Sequence, residues 1–372
     1  MKQRMERLLK LKKNKGIDIV VLTSPAAVKY FSGYSFNFET GPSPFHLLPA
    51  ALIGGDTFSL VLADNEMQPL FDTGITVRPY QSYVFEKPCE STGQFLGRVH
   101  DVLGQWGRKI ERVGIEQDSL PFVVAQSLTG CLPDAEFIDI GPDISQMRVV
   151  KDNDEIAAIR RAAELADIGQ SAVLKYARPG MSELELFAKV RLEMESAAGT
   201  RVPMMTDLVS GVRTATGGGN PSNRIIGENE LVLCDLTPCL NGYWGDSCNT
   251  IVVGTATAEQ KRIFTLVRSA LRAGIDTIRP GIPAKTVDAV MRKILAPEGD
   301  FGHHGGHGVG LVYHEEPRIV PYNDRVLEAG MVIALEPAVY KSDWGIRLEH
   351  LVLVTTDGTE VLTKFDHVFG QV

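Results

Sequence analysis

Four of the chain's eight histidines fall within residues 301–317, FGHHGGHGVGLVYHEEP, interleaved with glycines that a buried helix tolerates poorly. Upstream, ELVLCDLTPCLNGYWGDSCNTIVVG (residues 230–254) places two β-rich runs around Asn241-Gly242, the strongest short-range hairpin signal. With that dipeptide as the turn, 235 pairs with 248 and 237 with 246. Asp235 and Asp246 then become diagonal neighbours on one face, about 7–8 Å apart, a span that two carboxylates can close around a cation. Downstream, MVIALEPAVY and GIRLEHLVLV are apolar strands that each carry a lone glutamate, Glu336 and Glu349. A carboxylate on a buried strand is costly unless it is paired or coordinated, and Arg347 is near enough in sequence to do the pairing. Taken together, four hard carboxylates and nearby imidazole suit manganese, iron, cobalt or zinc. Four carboxylates repel one another around a single ion, whereas two ions sharing bridging carboxylates and a water form a hydrolytic site.

Positioning these groups requires more than one hydrophobic core, and 372 residues suffice for two domains. Up to about residue 140, helical and strand patterns alternate: a helix to Lys15, the strand IDIVVLTSP, then LPAALIGG and FSLVLAD across a polar turn. This is the pattern of a small α/β domain. From DEIAAIRRAAELADIGQSAVLKYA onward, long amphipathic helices take over, which puts the boundary near Val149–Asp154 and the domains at 1–150 and 151–372. Within the second domain, helices run into Arg-Pro-Gly triplets starting at Arg178 and Arg279, a shift of 101 residues. Each Pro-Gly ends one helix; Ser182 caps the next, and Pro283-Ala284 does so less aptly. The repeat implies a duplicated unit of helix, helix and sheet.

The charge balance, 38 basic against 46 acidic residues, leaves no electrostatic footprint for nucleic acid. The opening MKQRMERLLKLKKNKG lacks the apolar core of a signal peptide and reads as a solvated helix with Lys10, Lys12, Lys13 and Lys15 near its C-terminus. No apolar run approaches bilayer length. Five cysteines without a secretory signal suggest reduced thiols in a cytoplasm.

The order of these residues resembles the pita-bread metallopeptidases, and within them the Xaa-Pro branch with its N-terminal creatinase-like domain. The motifs are Asp235 and Asp246 with ten residues between, Gly306-His307-Gly308-Val309-Gly310, His314-Glu315-Glu316-Pro317, Glu336-Pro337 and Arg347-Leu348-Glu349. The resemblance spans nearly the whole chain. It implies an α/β creatinase-like domain before an α+β pita-bread catalytic domain with an internal pseudo-twofold duplication. It also implies a metallopeptidase cleaving Xaa-Pro bonds in dipeptides or short peptides. Two divalent ions are expected, manganese foremost, with cobalt, zinc or iron as alternatives. Asp235 would hold one ion, His307 and Glu336 the other, with Asp246 and Glu349 bridging. Glu336 would handle the proton of the hydrolytic water, and His303 and His314 would line the substrate site as catalytic groups. Arg318 would meet a substrate carboxylate, with Arg347 as a second substrate-binding residue. The expected assembly is a homodimer acting on a small peptide or amide, without membrane or nucleic acid. His304 matches no family position and reads as a loop side chain.

The pattern breaks in GGGNPSN, residues 217–223, where the family carries a histidine and this chain has Gly218 or Gly219. Cys248, Asn249 and His350 also replace the usual threonine, arginine and aspartate, which suggests a changed substrate pocket. Two alternatives follow. One is a dinuclear hydrolase of a small non-peptide C–N bond, of the ectoine hydrolase or creatinase kind. The other is a peptide-binding module without catalysis, to which four converging carboxylates would be of no use.

Overall fold

In the computed structural model, which describes residues 2–36, 47–48, 50–66 and 74–370, the chain divides into the units Met1–Arg148 and Val149–Val372. In the first unit the apolar strand Ile19–Leu22 lies inside a six-stranded sheet, pairing antiparallel with Ala50–Gly54 and parallel with Arg112–Ile115. Ile19–Leu22 and its neighbour Ala50–Gly54 are wholly buried, as continuous apolar strands require. The helix Lys2–Lys15 ends in lysines followed by Gly16 at φ 62°, as its composition predicts. It is less solvated than that composition suggests. Arg4, Leu8 and Lys12 form a buried stripe at four-residue spacing, and Lys12 Nζ lies 5.5 Å from the centre of the Trp106 ring.

The second unit is a duplicated one. The helices Asn153–Tyr176 and Glu183–Ala198 pack on the antiparallel sheet Met204–Ser210, Glu230–Leu240 and Ser247–Val253. The helices Ala258–Thr277 and Ala284–Leu295 pack on the sheet that contains Gly306–Gly308, Val332–Leu335 and His350–Val354. Backbone bonds repeat at the same offset of 101: Gly180 N donates to Ile226 O at 2.9 Å, and Gly281 N to Leu327 O at 2.9 Å. Likewise, the isolated bridges Ser182–Ile225 and Pro283–Val326 correspond. Ser182 forms a full capping box with Glu185, while Pro283 makes no side-chain cap, as the two sequences dictate.

The hairpin has the expected register. Asn241 and Gly242 both adopt positive φ, 52° and 84°, and Cys248 faces Asp235 across the ladder. Glycine spacing in the histidine stretch has a packing cause. A Cβ at Gly306 would stand 2.0 Å from Ala334 O, and one at Gly308 would stand 2.2 Å from Glu316 O. These glycines let the histidine strand lie close to its two neighbours.

Behind the ligand strands, the rings of His350 and His367 lie 4.3 Å apart. His367 Nε2 donates to the carbonyls of Cys248 and Glu349, each at 3.1 Å. Burial lowers both pKa values, to about 3 for His350 and about 4 for His367. The unfolded chain therefore binds protons near pH 6.5 that the folded chain refuses. The contribution of these two rings to stability is complete above that pH and falls as pH drops toward 4, by about 2 kcal/mol per ring at pH 5. Urea midpoints at pH 7 and 5 should diverge less in His350→Gln than in the parent. An equal divergence would mean that these rings do not carry the acid lability.

Candidate metal centre

Asp235 comes from the middle of the strand Glu230–Leu240, and Asp246 follows the turn just before Ser247–Val253. His307 lies at the centre of Gly306–Gly308, whose partner strand Val332–Leu335 delivers Glu336 at its end. Glu349 sits between Gly345–Arg347 and His350–Val354. The two halves of the duplication thus each contribute carboxylates to one floor. Asp246, His307 and Glu349 are buried, and their ligand atoms all lie within 4.8 Å of one another.

The imidazole is prepared for a cation. His307 Nδ1 donates to Gly308 O at 3.0 Å, which leaves the lone pair on Nε2. That nitrogen lies 3.6 Å from both Asp246 Oδ2 and Glu336 Oε1. Burial lowers the ring's pKa to about 3, so it stays neutral and able to ligate.

The carboxylates also fit divalent ions. Asp235 Oδ1 and Glu349 Oε2 are buried with no hydrogen-bond partner, and Glu336 Oε1 has only an off-axis contact with His304 Nε2 at 2.7 Å. Buried acceptors are ordinarily satisfied. Burial, followed by the charges of neighbouring carboxylates, pushes Asp246 and Glu349 well above the usual carboxylate range. Burial raises Asp235 to about 6 against the pull of Arg347. Cations among these groups would replace the retained protons and complete the orphaned oxygens. Burial also pushes Glu336 up, but His304, His307 and Arg347 outweigh it and hold this carboxylate at about 2.

Above the floor lies a cavity of about 450 Å³ lined by Asp235, His303, His304, His314, Glu336 and Arg347, among others. Arg347 Nη2 donates to Asp235 Oδ2 at 2.6 Å and to Asp207 Oδ2 at 3.2 Å. Its Nη1 bonds Gly217 O and, at 3.2 Å, Tyr340 Oη. Tyr340 Oη in turn lies 3.1 Å from His303 Nε2, while His303 Nδ1 donates to His304 O at 2.7 Å. The ring nitrogen that faces Tyr340 is therefore an acceptor. His314 packs on His307 with ring centres 4.0 Å apart. The turn that carries it is fixed by its neighbour Glu315, which pairs with buried Lys151 at 3.1 Å.

His304 departs from the sequence reading. It is a cavity-lining residue whose Nε2 lies 2.7 Å from Glu336 Oε1. Arg318 Nη2 donates to His304 Nδ1 at 2.7 Å. A guanidinium only donates, so the ring proton belongs on Nε2, the atom beside Glu336. Arg318 itself stands behind His304 and is not among the residues that line the cavity. Arg318→Ala should therefore lower kcat about tenfold through a mis-set His304, equally on a dipeptide and on its C-terminally amidated analogue. A KM increase confined to the free carboxylate would instead assign Arg318 to the substrate.

Asp207 and Tyr340 were not foreseen. The only signal for Asp207 was one acidic residue in the apolar run MMTDLVS, which becomes the strand facing Asp235. Two of the departures noted in the sequence point away from the cavity. Asn249 Nδ2 donates to Val368 O at 3.2 Å, and His350 Nδ1 contacts Thr363 Oγ1 at 2.9 Å. Both anchor the C-terminal segment. Cys248 is a buried thiol whose pKa is pushed well up by burial, so it behaves as a small apolar group.

The sequence pattern of metallopeptidase family M24 matches residues 157–356, and that of the creatinase/prolidase N-terminal domain matches residues 4–150. The Xaa-Pro dipeptidase of Pyrococcus furiosus is 32% identical over 98% of each chain. Among solved structures, an Xaa-Pro dipeptidase from Bacillus anthracis superposes with a TM-score of 0.84 at 26% identity, covering 99% of this chain and 98% of that one. The prolidase from Pyrococcus horikoshii OT3 superposes at 0.81 with 29% identity, covering 98% and 99%.

Proposed function

We propose, from the premise that this chain belongs to metallopeptidase family M24 and carries its pita-bread catalytic domain behind a creatinase-like one, that it hydrolyses the Xaa-Pro bond of dipeptides and short peptides. The observation that carries the reading is the convergence of Asp235, Asp246, His307, Glu336 and Glu349 under one cavity, with buried oxygens awaiting partners. The preference for Xaa-Pro is supported by the whole-chain relatives named for it.

Asp235, Asp246, His307, Glu336 and Glu349 would hold two divalent ions, with manganese suited to the oxygen-rich set. Such ions supply Lewis acidity that makes water nucleophilic at neutral pH. Glu336 is ionised and takes the proton of the attacking water. His304, with its proton on Nε2, steadies that carboxylate. His314 lines the cavity with its pKa lowered by partial burial and is placed to receive or return a proton near the leaving group. Arg347 holds Asp235 in place and neutralises part of the acidic floor.

The reading includes a homodimer, a small peptide or amide as the only partner, and a cytoplasmic setting. The last rests on the odd number of cysteines in the chain, five. Among the described residues no helix is long and apolar enough to cross a membrane. The test is a screen of the manganese-loaded protein against Xaa-Pro dipeptides, longer Xaa-Pro peptides and cyclic amides. Turnover of Xaa-Pro dipeptides is the expected result. Turnover of a cyclic amide alone would transfer the site to small C–N substrates of the ectoine hydrolase or creatinase kind. Turnover of none would leave a peptide-binding module.

A further inference from the structure

Gly218 stands in the segment where the resemblance calls for a histidine, and the structure shows what occupies the space. A Cβ built on Gly218 would lie 1.9 Å from Asp207 Oδ2. Asp207 therefore fills the volume that a side chain at 218 would enter. It belongs to the cavity wall, its side chain is 37% exposed, and it sits opposite Asp235 in the strand register.

The exchange inverts the chemistry of that wall. A histidine can donate a hydrogen bond to a carbonyl oxygen, whereas an ionised carboxylate only accepts. Asp207 Oδ1 accepts from Gly219 N at 2.8 Å and Oδ2 from Arg347 Nη2 at 3.2 Å. About four lone-pair sites exist on a carboxylate, so acceptor capacity remains on its exposed side. The other cavity-lining carboxylates among the described residues, Asp235 and Glu336, belong to the metal set. Asp207 is left to face the substrate.

An Xaa-Pro dipeptide offers few donors to such a group. Its scissile nitrogen is tertiary and carries no hydrogen, its carbonyl oxygen accepts, and its C-terminal carboxylate would be repelled. Only the α-ammonium donates. We propose that Asp207 is a specificity residue that receives the substrate's free α-ammonium, in a space where a side chain at 218 would otherwise stand. The inference rests on the Xaa-Pro reading above. It also explains the glycine run, because Gly217, Gly218 and Gly219 keep the wall open: Gly217 O is held by Arg347 and Gly219 N by Asp207.

The test compares Ala-Pro with propionyl-Pro, which lacks only the amino group, on the manganese-loaded parent and on Asp207→Asn. Asparagine keeps the size of the side chain and an oxygen for Gly219 N while removing the charge. The parent should prefer Ala-Pro. The variant should lose about tenfold to hundredfold in kcat/KM on Ala-Pro, mostly through KM, and at most about threefold on propionyl-Pro through the weakened Arg347 contact, so the preference collapses. Equal losses on both compounds would make Asp207 a mere brace for Arg347 and overturn the proposal, as would no loss on either. A parent that leaves Ala-Pro intact would refute the Xaa-Pro reading, not this one. Calorimetric binding of the two intact compounds then decides: an ammonium preference present in the parent and absent from the variant supports Asp207, and any other pattern overturns it.

Discussion

Glu349→Ala and Asp246→Ala are each expected to abolish activity and to leave the purified protein without either metal ion, whereas His307→Ala should lose mainly one. Glu349 and Asp246 approach His307 from different chain segments, all three are buried, and their ligand atoms lie within 4.8 Å of one another. In the metal-free chain their negative charges oppose one another and burial, so each is pushed toward its protonated form. Cutting either side chain back relieves that crowding, and the fold should survive the loss. What is lost is affinity for cations, since the remaining oxygens no longer surround two positions. Metal content after dialysis, measured beside circular dichroism, gives the answer. Two ions retained per chain in Glu349→Ala would end the bridging assignment of Glu349.

Glu336→Gln should retain its fold and lower kcat by about 10²–10⁴-fold, the usual worth of a positioned general base. Three neighbours make Glu336 the one carboxylate of the floor that is held low: His304 at 2.7 Å, His307 at 3.6 Å and the Arg347 charge. These neighbours favour its ionised form, and the amide that replaces it accepts no proton. Because the same residue is placed to hold metal, kcat must be measured at saturating manganese with the ion content determined in parallel. A variant that keeps its ions and more than a tenth of the parental kcat would assign the proton to another group, with His314 the next candidate.

Much of this was legible from residue order alone. Local rules are short-ranged: Asn241-Gly242 demands two positive φ angles and so sets the register that puts Asp235 opposite Cys248. A lone glutamate in an apolar strand signals a partner, and the 101-residue repeat signals two similar halves. From these, four converging carboxylates and the two-part architecture follow before any coordinates exist, and the resemblance to the pita-bread metallopeptidases adds His307 to the expected ligand set.

Tertiary structure decided how the second ring of residues is used. His304 and His307 differ by three positions in a glycine-rich stretch, and no periodicity distinguishes a loop histidine from one turned onto Glu336. That assignment comes from Arg318, fourteen residues away, whose guanidinium sets the ring's tautomer. Asp207 is a single acidic residue in the apolar run MMTDLVS, which by itself signals no site. Its position became clear only when Met204–Ser210 paired with Glu230–Leu240 and Gly218 left the space beside it open. Hydrogen-bond donors and acceptors are specified by angles and distances between chain segments far apart in sequence, whereas turns, caps and buried charges are specified by their immediate neighbours. For that reason the sequence, through the resemblance its motifs carry, pointed to the candidate metal ligands, and only the folded chain placed the groups that line the cavity around them.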